Sequence, residues 1–195
     1  MVLAKSMSQP GAMAMTKLKG VLRYMKGAVS IGFTYSEDAE DGDKLTAFVE
    51  ADHAGDQDKE YSNTGIVLYL AGGPVDWRSK KQTVVAIPTV EVEYVAMSKG
   101  CVMVLHFRLE SMNDKQEQAT VMFEDHSGAV SLSRSADVTS RTKPIDLNFH
   151  HLRSLEADSV VDVTYIKTEL QRADILTKRV GTVKFLDNRL LLRGV

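Results

Sequence analysis

The sequence predicts an α/β fold, a mixed sheet with helices packed on it. Three observations carry that expectation. Three β-rich runs come first and are joined by turns, the pattern of an antiparallel meander. Strands then alternate with helical segments, in the order βββ-α-β-α-α-β-α, which implies a mixed sheet covered by helices. The 195 residues are 44% apolar and 26% charged, the balance of an ordinary globular protein. That length suits one domain, or a domain with an appendage.

The elements follow in order. After Pro10-Gly11, the residues Met15, Leu18, Leu22 and Met25 recur at helical spacing with Gly27 as a C-cap, so residues 12–26 read as an amphipathic helix. Glu37 to Asp43 is an acidic turn. Leu45 to Asp52 alternates as a strand, with Phe48, Glu50 and Asp52 on one face. Gly65 to Leu70 is a second strand, closed by the turn Gly72-Gly73-Pro74. Val75 to Trp77 and Thr83 to Ile87 read as one further, bent strand.

Pro88-Thr89 opens a helix over about 90–112. Its expected inward stripe is Val95, Ser98, Val102, Leu105, Leu109 and Met112, with Glu91 one turn before Val95 on the same stripe. Thr120 to Glu124 is a strand ending at Asp125, and Ser127 to Ser133 a short helix. Ile145 to Asp158 is helical, Val160 to Ile166 a strand, and a last helical stretch runs from Ala173 to Leu192 with a break at Gly181.

Charge and cysteine content narrow the function classes. Lys plus Arg is 24 against 26 Asp plus Glu, a net charge of −2. That excludes a histone-like or arginine-rich binder, so nucleic-acid contact requires a local basic patch. The single cysteine, Cys101, excludes an internal disulfide and a cysteine-based zinc site. No apolar run approaches the roughly 20 residues of a membrane span, and the N-terminal stretch has no continuous apolar core of a signal peptide. A soluble intracellular protein without a membrane partner is the simplest expectation, with the oligomeric state left open.

Four acidic positions stand at element ends: Glu50, with Asp52 as its alternative, on the first strand; Glu91 opening the long helix; Asp125 ending the fourth strand; and Asp174 opening the last helix. Carboxylates brought together from separate elements suit hard divalent cations, and two such ions stabilise both the attacking and the leaving oxygen of a phosphodiester displacement. Each also has a structural reading. Glu91 would favour the helix dipole, Asp125 and Asp174 would cap helices, and Glu50 would be an exposed strand residue. A carboxylate on a core-facing stripe, the place expected for Glu91, needs a partner because an unpaired buried charge is costly.

Residues 45–110 and 120–178 resemble the ribonuclease H domain at the C-terminal end of copia-type LTR retrotransposon polyproteins. The resemblance rests on VEADHAGDQDKEYSNTGIVLYLAGGPVDWRSKKQ, TVEVEY, EDHSGA, RTKPIDLNFHHLRS and ADILTK, which stand in the family's order. MSQPGAMAMTKLKGVLRYMKG is similar to the segment that joins reverse transcriptase to that domain. The resemblance implies residues 1–28 as a connecting helical segment and 29–195 as a ribonuclease H-like domain with a five-stranded mixed sheet flanked by helices. It implies two-Mg²⁺ hydrolysis of the RNA strand of an RNA–DNA hybrid, with an upstream reverse transcriptase domain as partner. By position it puts catalysis on Glu50, Glu91, Asp125 and Asp174, and metal ligation on these and Asp52. Phosphate contacts fall to Arg78, Lys80, Lys81, Arg141, Lys143 and His150; the basic residues 78–81 also suit charge protection of a strand edge.

The departures gather at the motifs. The family has Asp at Glu50, Trp at His53, Ser-Ser-Thr at Pro88-Thr89-Val90, Asn at His126, His at Pro144 and Glu at Ser154. They predict impaired catalysis, above all Glu50, whose extra methylene shifts a carboxylate that metal geometry holds tightly. A second expectation belongs to another class. Gly20-Val21-Leu22-Arg23 is one residue from the RxLR motif of secreted oomycete effectors, so a non-enzymatic effector, or a nucleic-acid-binding remnant, is the alternative to an enzyme.

Overall fold

β1 (Thr46–Asp56) is the central strand, with β2 (Tyr61–Leu70) antiparallel on one side and β4 (Thr120–Glu124) parallel on the other. β3 (Gly73–Val85) pairs antiparallel with β2, and β5 (Val161–Tyr165) parallel with β4. The five-stranded mixed sheet therefore runs β3-β2-β1-β4-β5, as expected. The structure, a computed structural model, describes residues 3, 6–36, 38–39, 42, 44–56, 61–85, 89–109, 118–135 and 146–193, without the side chains at 53–56, 83–85 and 146–149. Arg141, Lys143, Pro88, Pro144, the side chain of His53 and much of the acidic turn lie outside the described residues.

The chain divides into two units, Met1–Phe33 and Thr34–Val195. The first holds α1 (Ala12–Gly27), which carries Met15, Leu18, Leu22 and Met25 at helical spacing and buries no residue. The second holds the sheet with α2 (Thr89–Phe107), α3 (Ser127–Arg134), α4 (Asp146–Ala157), α5 (Asp174–Thr177) and α6 (Thr182–Leu192). The expected break at Gly181 is the N-cap of α6. No helix among the described residues is long and apolar enough to cross a membrane.

Alternation along β1 serves two cores. Ala47, Val49 and Ala51 join Ile66, Leu68, Met97, Val104 and Met122 on the face under α2. Phe48 joins Val67, Tyr69 and Ala173 on the other, where the Arg172 guanidinium lies over the Phe48 and Tyr69 rings at 4.7 and 4.3 Å. Each face thus buries its own alternate set, and a one-residue slip would invert both.

The further strand is one element, as expected: β3 runs through Arg78–Lys81, with register irregularities against β2; that charged run has little strand propensity, yet it suits an edge strand, where charge deters further pairing. One expectation is corrected in part. The expected inward stripe of α2 holds only in its first half: Val95 and Ser98 are buried, whereas Val102 is 52% and Leu109 75% exposed; Met112 lies outside the described residues. The buried set is Val92, Glu93, Met97, Gly100, Met103 and Val104, among others. α2 is covered by the sheet and by α3 and α4, so its sequence is apolar around most of its circumference and several stripes have helical spacing. Gly100 decides which one faces the sheet: a Cβ there would stand 2.7 Å from Val49 Cγ2 and 3.0 Å from Met122 Cε.

Candidate metal-binding cleft

β1 and β4 pair only from Thr46↔Val121 to Phe48↔Phe123, and beyond that point they part. Glu50 lies two residues past the last pair on β1, and Glu124 and Asp125 one and two past it at the end of β4. One carboxylate oxygen from each of these three lies within 4.8 Å of the others. Gln171, fully buried, fills part of the gap: its Nε2 donates to Val49 O at 2.8 Å, and its Oε1 accepts from Ala173 N at 3.2 Å. One amide thus ties the unpaired half of β1 to the start of α5, which carries Asp174.

α5 sits close against β2 because Gly65, the register partner of Glu50, has no side chain. A Cβ at Gly65 would meet Thr177 Cγ2 at 2.7 Å and Ala173 O at 2.8 Å. Ser79 Oγ donates to Leu176 O at 2.6 Å and Asn63 Nδ2 to Thr177 O at 3.4 Å. These bonds satisfy carbonyls left over at the end of a short helix.

The carboxylates act on one another. Burial, then the Glu93 charge and a hydrogen bond with Asp125, push the Glu50 carboxyl up to about 9. Burial pushes Glu93 up to about 8, against a backbone N–H from Ala51 and with Asp125 adding to the rise. Burial and the Glu93 charge raise Glu124 far above the usual carboxylate range. Burial would raise Asp174 too, but Lys178 and Lys184 outweigh it and hold that carboxyl below its ordinary value. Lys178 Nζ lies 2.5 Å from Asp174 Oδ1 and 2.9 Å from Glu50 Oε1, and Lys184 pairs with Asp174 Oδ2.

Of the positions singled out in the sequence, Glu50, Asp125 and Asp174 come together here. Glu91 does not: partial desolvation is its only perturbation. Glu93 takes that place, 4% exposed, on the buried arc of α2 two turns before Gly100, whereas Glu91 is only half-buried in the first turn of the helix. No local pattern singles it out, because the rotation of α2 is set by the tertiary seat of Gly100 on Val49 and Met122. Asp52 is half-buried, on the same face as Glu50, and outside the three-carboxylate group. Glu124 and Lys178 were missed entirely. The structural readings also change. Glu50 is buried, His126 rather than Asp125 caps α3 by accepting from Ala129 N at 3.2 Å, and Ala173 is the N-cap of α5.

The cleft fits a hard cation. Glu50 Oε2, Glu93 Oε2 and Glu124 Oε2 are buried without a hydrogen-bond partner, a costly arrangement that a metal would relieve. The basic candidates lie elsewhere. Arg78 and Lys80 are exposed on edge strand β3, Lys81 stands 4.2 Å over the Tyr61 ring, and His150 is exposed on α4.

No protein-family model matches the chain. Among curated proteins it is similar to the retrovirus-related Pol polyprotein from transposon TNT 1-94 of Nicotiana tabacum, 32% identical over 187 residues, 94% of this chain and 14% of that protein. The chain thus spans a small part of that relative's length. It is also similar to secreted RxLR effector protein 161 of Plasmopara viticola, 38% identical over 99 residues, 51% of this chain and 68% of that one. Among solved structures it is similar to LC11-RNase H1, isolated from compost, with TM-score 0.54 at 14% identity, covering 69% of this chain and 93% of that one. The same protein in complex with an RNA/DNA hybrid gives TM-score 0.52. These structural likenesses show a ribonuclease H-like α/β fold.

Proposed function

We propose that this chain, whose homologues are retrovirus-related Pol polyproteins from transposons, hydrolyses the RNA strand of RNA–DNA hybrids with two Mg²⁺ ions, at a rate lowered by Glu50. The observation that carries the reading is the meeting of Glu50, Glu93, Asp125 and Asp174 from four separate elements, close enough to act on one another's charge. These four would hold the ions, which supply Lewis-acid stabilisation to the attacking and leaving oxygens.

The chain's own residues set the rest. Lys178 holds Glu50 Oε1 and leaves Oε2 free toward a ligand. Lys178 and Lys184 keep Asp174 ionised. Arg78 and Lys80 on β3 are available to phosphates, and contacts of that kind position a duplex without reading its sequence; 2′-hydroxyls and groove shape would select the hybrid. The first residues of the chain would face an upstream reverse transcriptase domain in the polyprotein.

The test is cleavage of a labelled RNA–DNA hybrid in Mg²⁺. The unmodified chain cleaves slowly, Glu50→Asp raises the rate at least about tenfold, and Glu93→Gln abolishes it, since misplacement by about 1 Å costs on the order of 10²-fold. No cleavage by a folded Glu50→Asp variant, or cleavage indifferent to Glu93→Gln, overturns the reading. Full activity lost on Asp52→Asn but kept in Glu50→Gln moves the first ligand to Asp52. The Lys178 bridge supports a second reading, hybrid binding without turnover, which retained binding in an inactive Glu50→Asp chain would favour.

A further inference from the structure

Five carboxylates gather at this end of the sheet, and the proposed hydrolysis uses four. The fifth is Glu124. It is fully buried, and its Oε1 accepts from His126 N at 3.1 Å. Its Oε2 has no partner. Glu50 is built alike: Oε1 is held by Lys178 and Oε2 is unpartnered. In each, one oxygen is anchored and the other left bare, although a buried polar atom without a partner costs about 1–3 kcal/mol. A cation held between these oxygens would relieve it.

We propose that Glu124 is a direct metal ligand, completing with Glu50 and Asp125 an all-oxygen position for one hard divalent cation that fills independently of nucleic acid. The three oxygens lie within 4.8 Å of one another, so some point is no more than about 2.8 Å from all of them. That is close to the 2.3–2.6 Å at which carboxylates ligate Ca²⁺, and a small closure reaches the shorter distances of smaller hard cations. An all-carboxylate donor set selects Mg²⁺, Ca²⁺ or Mn²⁺ over softer metals. The inference rests on the reading that this cleft binds divalent cations, but it does not need catalysis.

The experiment is titration of the metal-free chain with Mn²⁺, read by the electron paramagnetic resonance signal of free Mn²⁺ and by the rise in Tm, with no hybrid present. Glu124→Gln weakens the tightest site at least about tenfold, the scale on which even the outer partners of metal ligands act. Glu91→Gln leaves that site intact. Glu124→Asp keeps the charge but shortens the reach, and it weakens binding as well. Should the Gln variant not fold, the Asp variant alone decides. Wild-type Mn²⁺ affinity in a folded Glu124→Gln or Glu124→Asp chain overturns the proposal. An intact, Glu124-dependent Mn²⁺ site in a chain that never cleaves hybrid overturns only the hydrolytic reading.

Discussion

Lys178 Nζ stands 2.9 Å from Glu50 Oε1, an ion pair between side chains 128 positions apart in sequence. The same ammonium pairs with Asp174, so one lysine partly neutralises two carboxylates that would otherwise repel. Removing it as Lys178→Met should destabilise the metal-free chain by about 2 kcal/mol. That is less than the roughly 3–5 kcal/mol for breaking a fully buried pair, because Lys184 remains on Asp174. Divalent cation should restore most of the lost Tm, since it supplies the missing positive charge. Thermal melts with and without Mg²⁺ measure both effects, and a variant that melts like the parent shows the bridge contributes nothing.

Glu91 and Glu93 separate cleanly by substitution. Glu93→Gln removes a buried carboxylate with an unpartnered oxygen and should raise the metal-free Tm by a few degrees while abolishing hybrid cleavage. Glu91→Gln, half-buried in the first turn of α2 and outside the three-carboxylate group, should change neither. Equal loss of activity in the two variants would place both in the site.

Stability should depend on pH in a definite direction. Glu50 and Glu93 are pushed up to about 9 and about 8 in the folded chain, whereas the unfolded chain releases these protons near the ordinary carboxylate value. The folded state therefore binds more protons between about pH 4.5 and 8–9, and stability falls as pH rises through that window. The contribution is fully present below about pH 4.5 and lost by about pH 9. Denaturant melts of the metal-free chain from pH 5 to 9 should show the fall, and Glu93→Gln should flatten it. Metal affinity should run the other way, rising with pH as the ligands lose their protons.

Gly65 holds the register between the metal cleft and α5. Gly65→Ala would drive a Cβ to 2.8 Å from Ala173 O, a backbone atom with no rotamer to yield. The cost should be about 1–3 kcal/mol, the usual range for overpacking. The lifted α5 should also carry Asp174 off its place, so hybrid cleavage falls more than stability alone explains. Urea melts paired with cleavage rates test this, and a variant with parental stability and rate would mean that α5 yields freely.

Much of the architecture is legible in local pattern. Alternation in β1 and β2, the turn at Gly72-Gly73-Pro74 and the break at Gly181 are each spoken by a few neighbouring residues, because strand pleat, turn conformation and capping are short-range effects. Element ends follow from the same signals, which is why Glu50, Asp125 and Asp174 stand out in the sequence alone.

The sequence by itself determined which elements form, their order, and that carboxylates lie at their ends. Tertiary structure decided which of them meet. The choice between Glu91 and Glu93 turned on the rotation of α2, and a helix covered by sheet and helices alike is apolar on too many sides for periodicity to select one. The close seat of Gly100 on Val49 and Met122 set that rotation. Glu124 became part of the cleft because β1 and β4 part after Phe48 and Phe123, and Lys178 because α5 folds back over Gly65. Each is a contact between segments tens to more than a hundred residues apart, where burial and charge depend on neighbours that adjacent sequence does not contain.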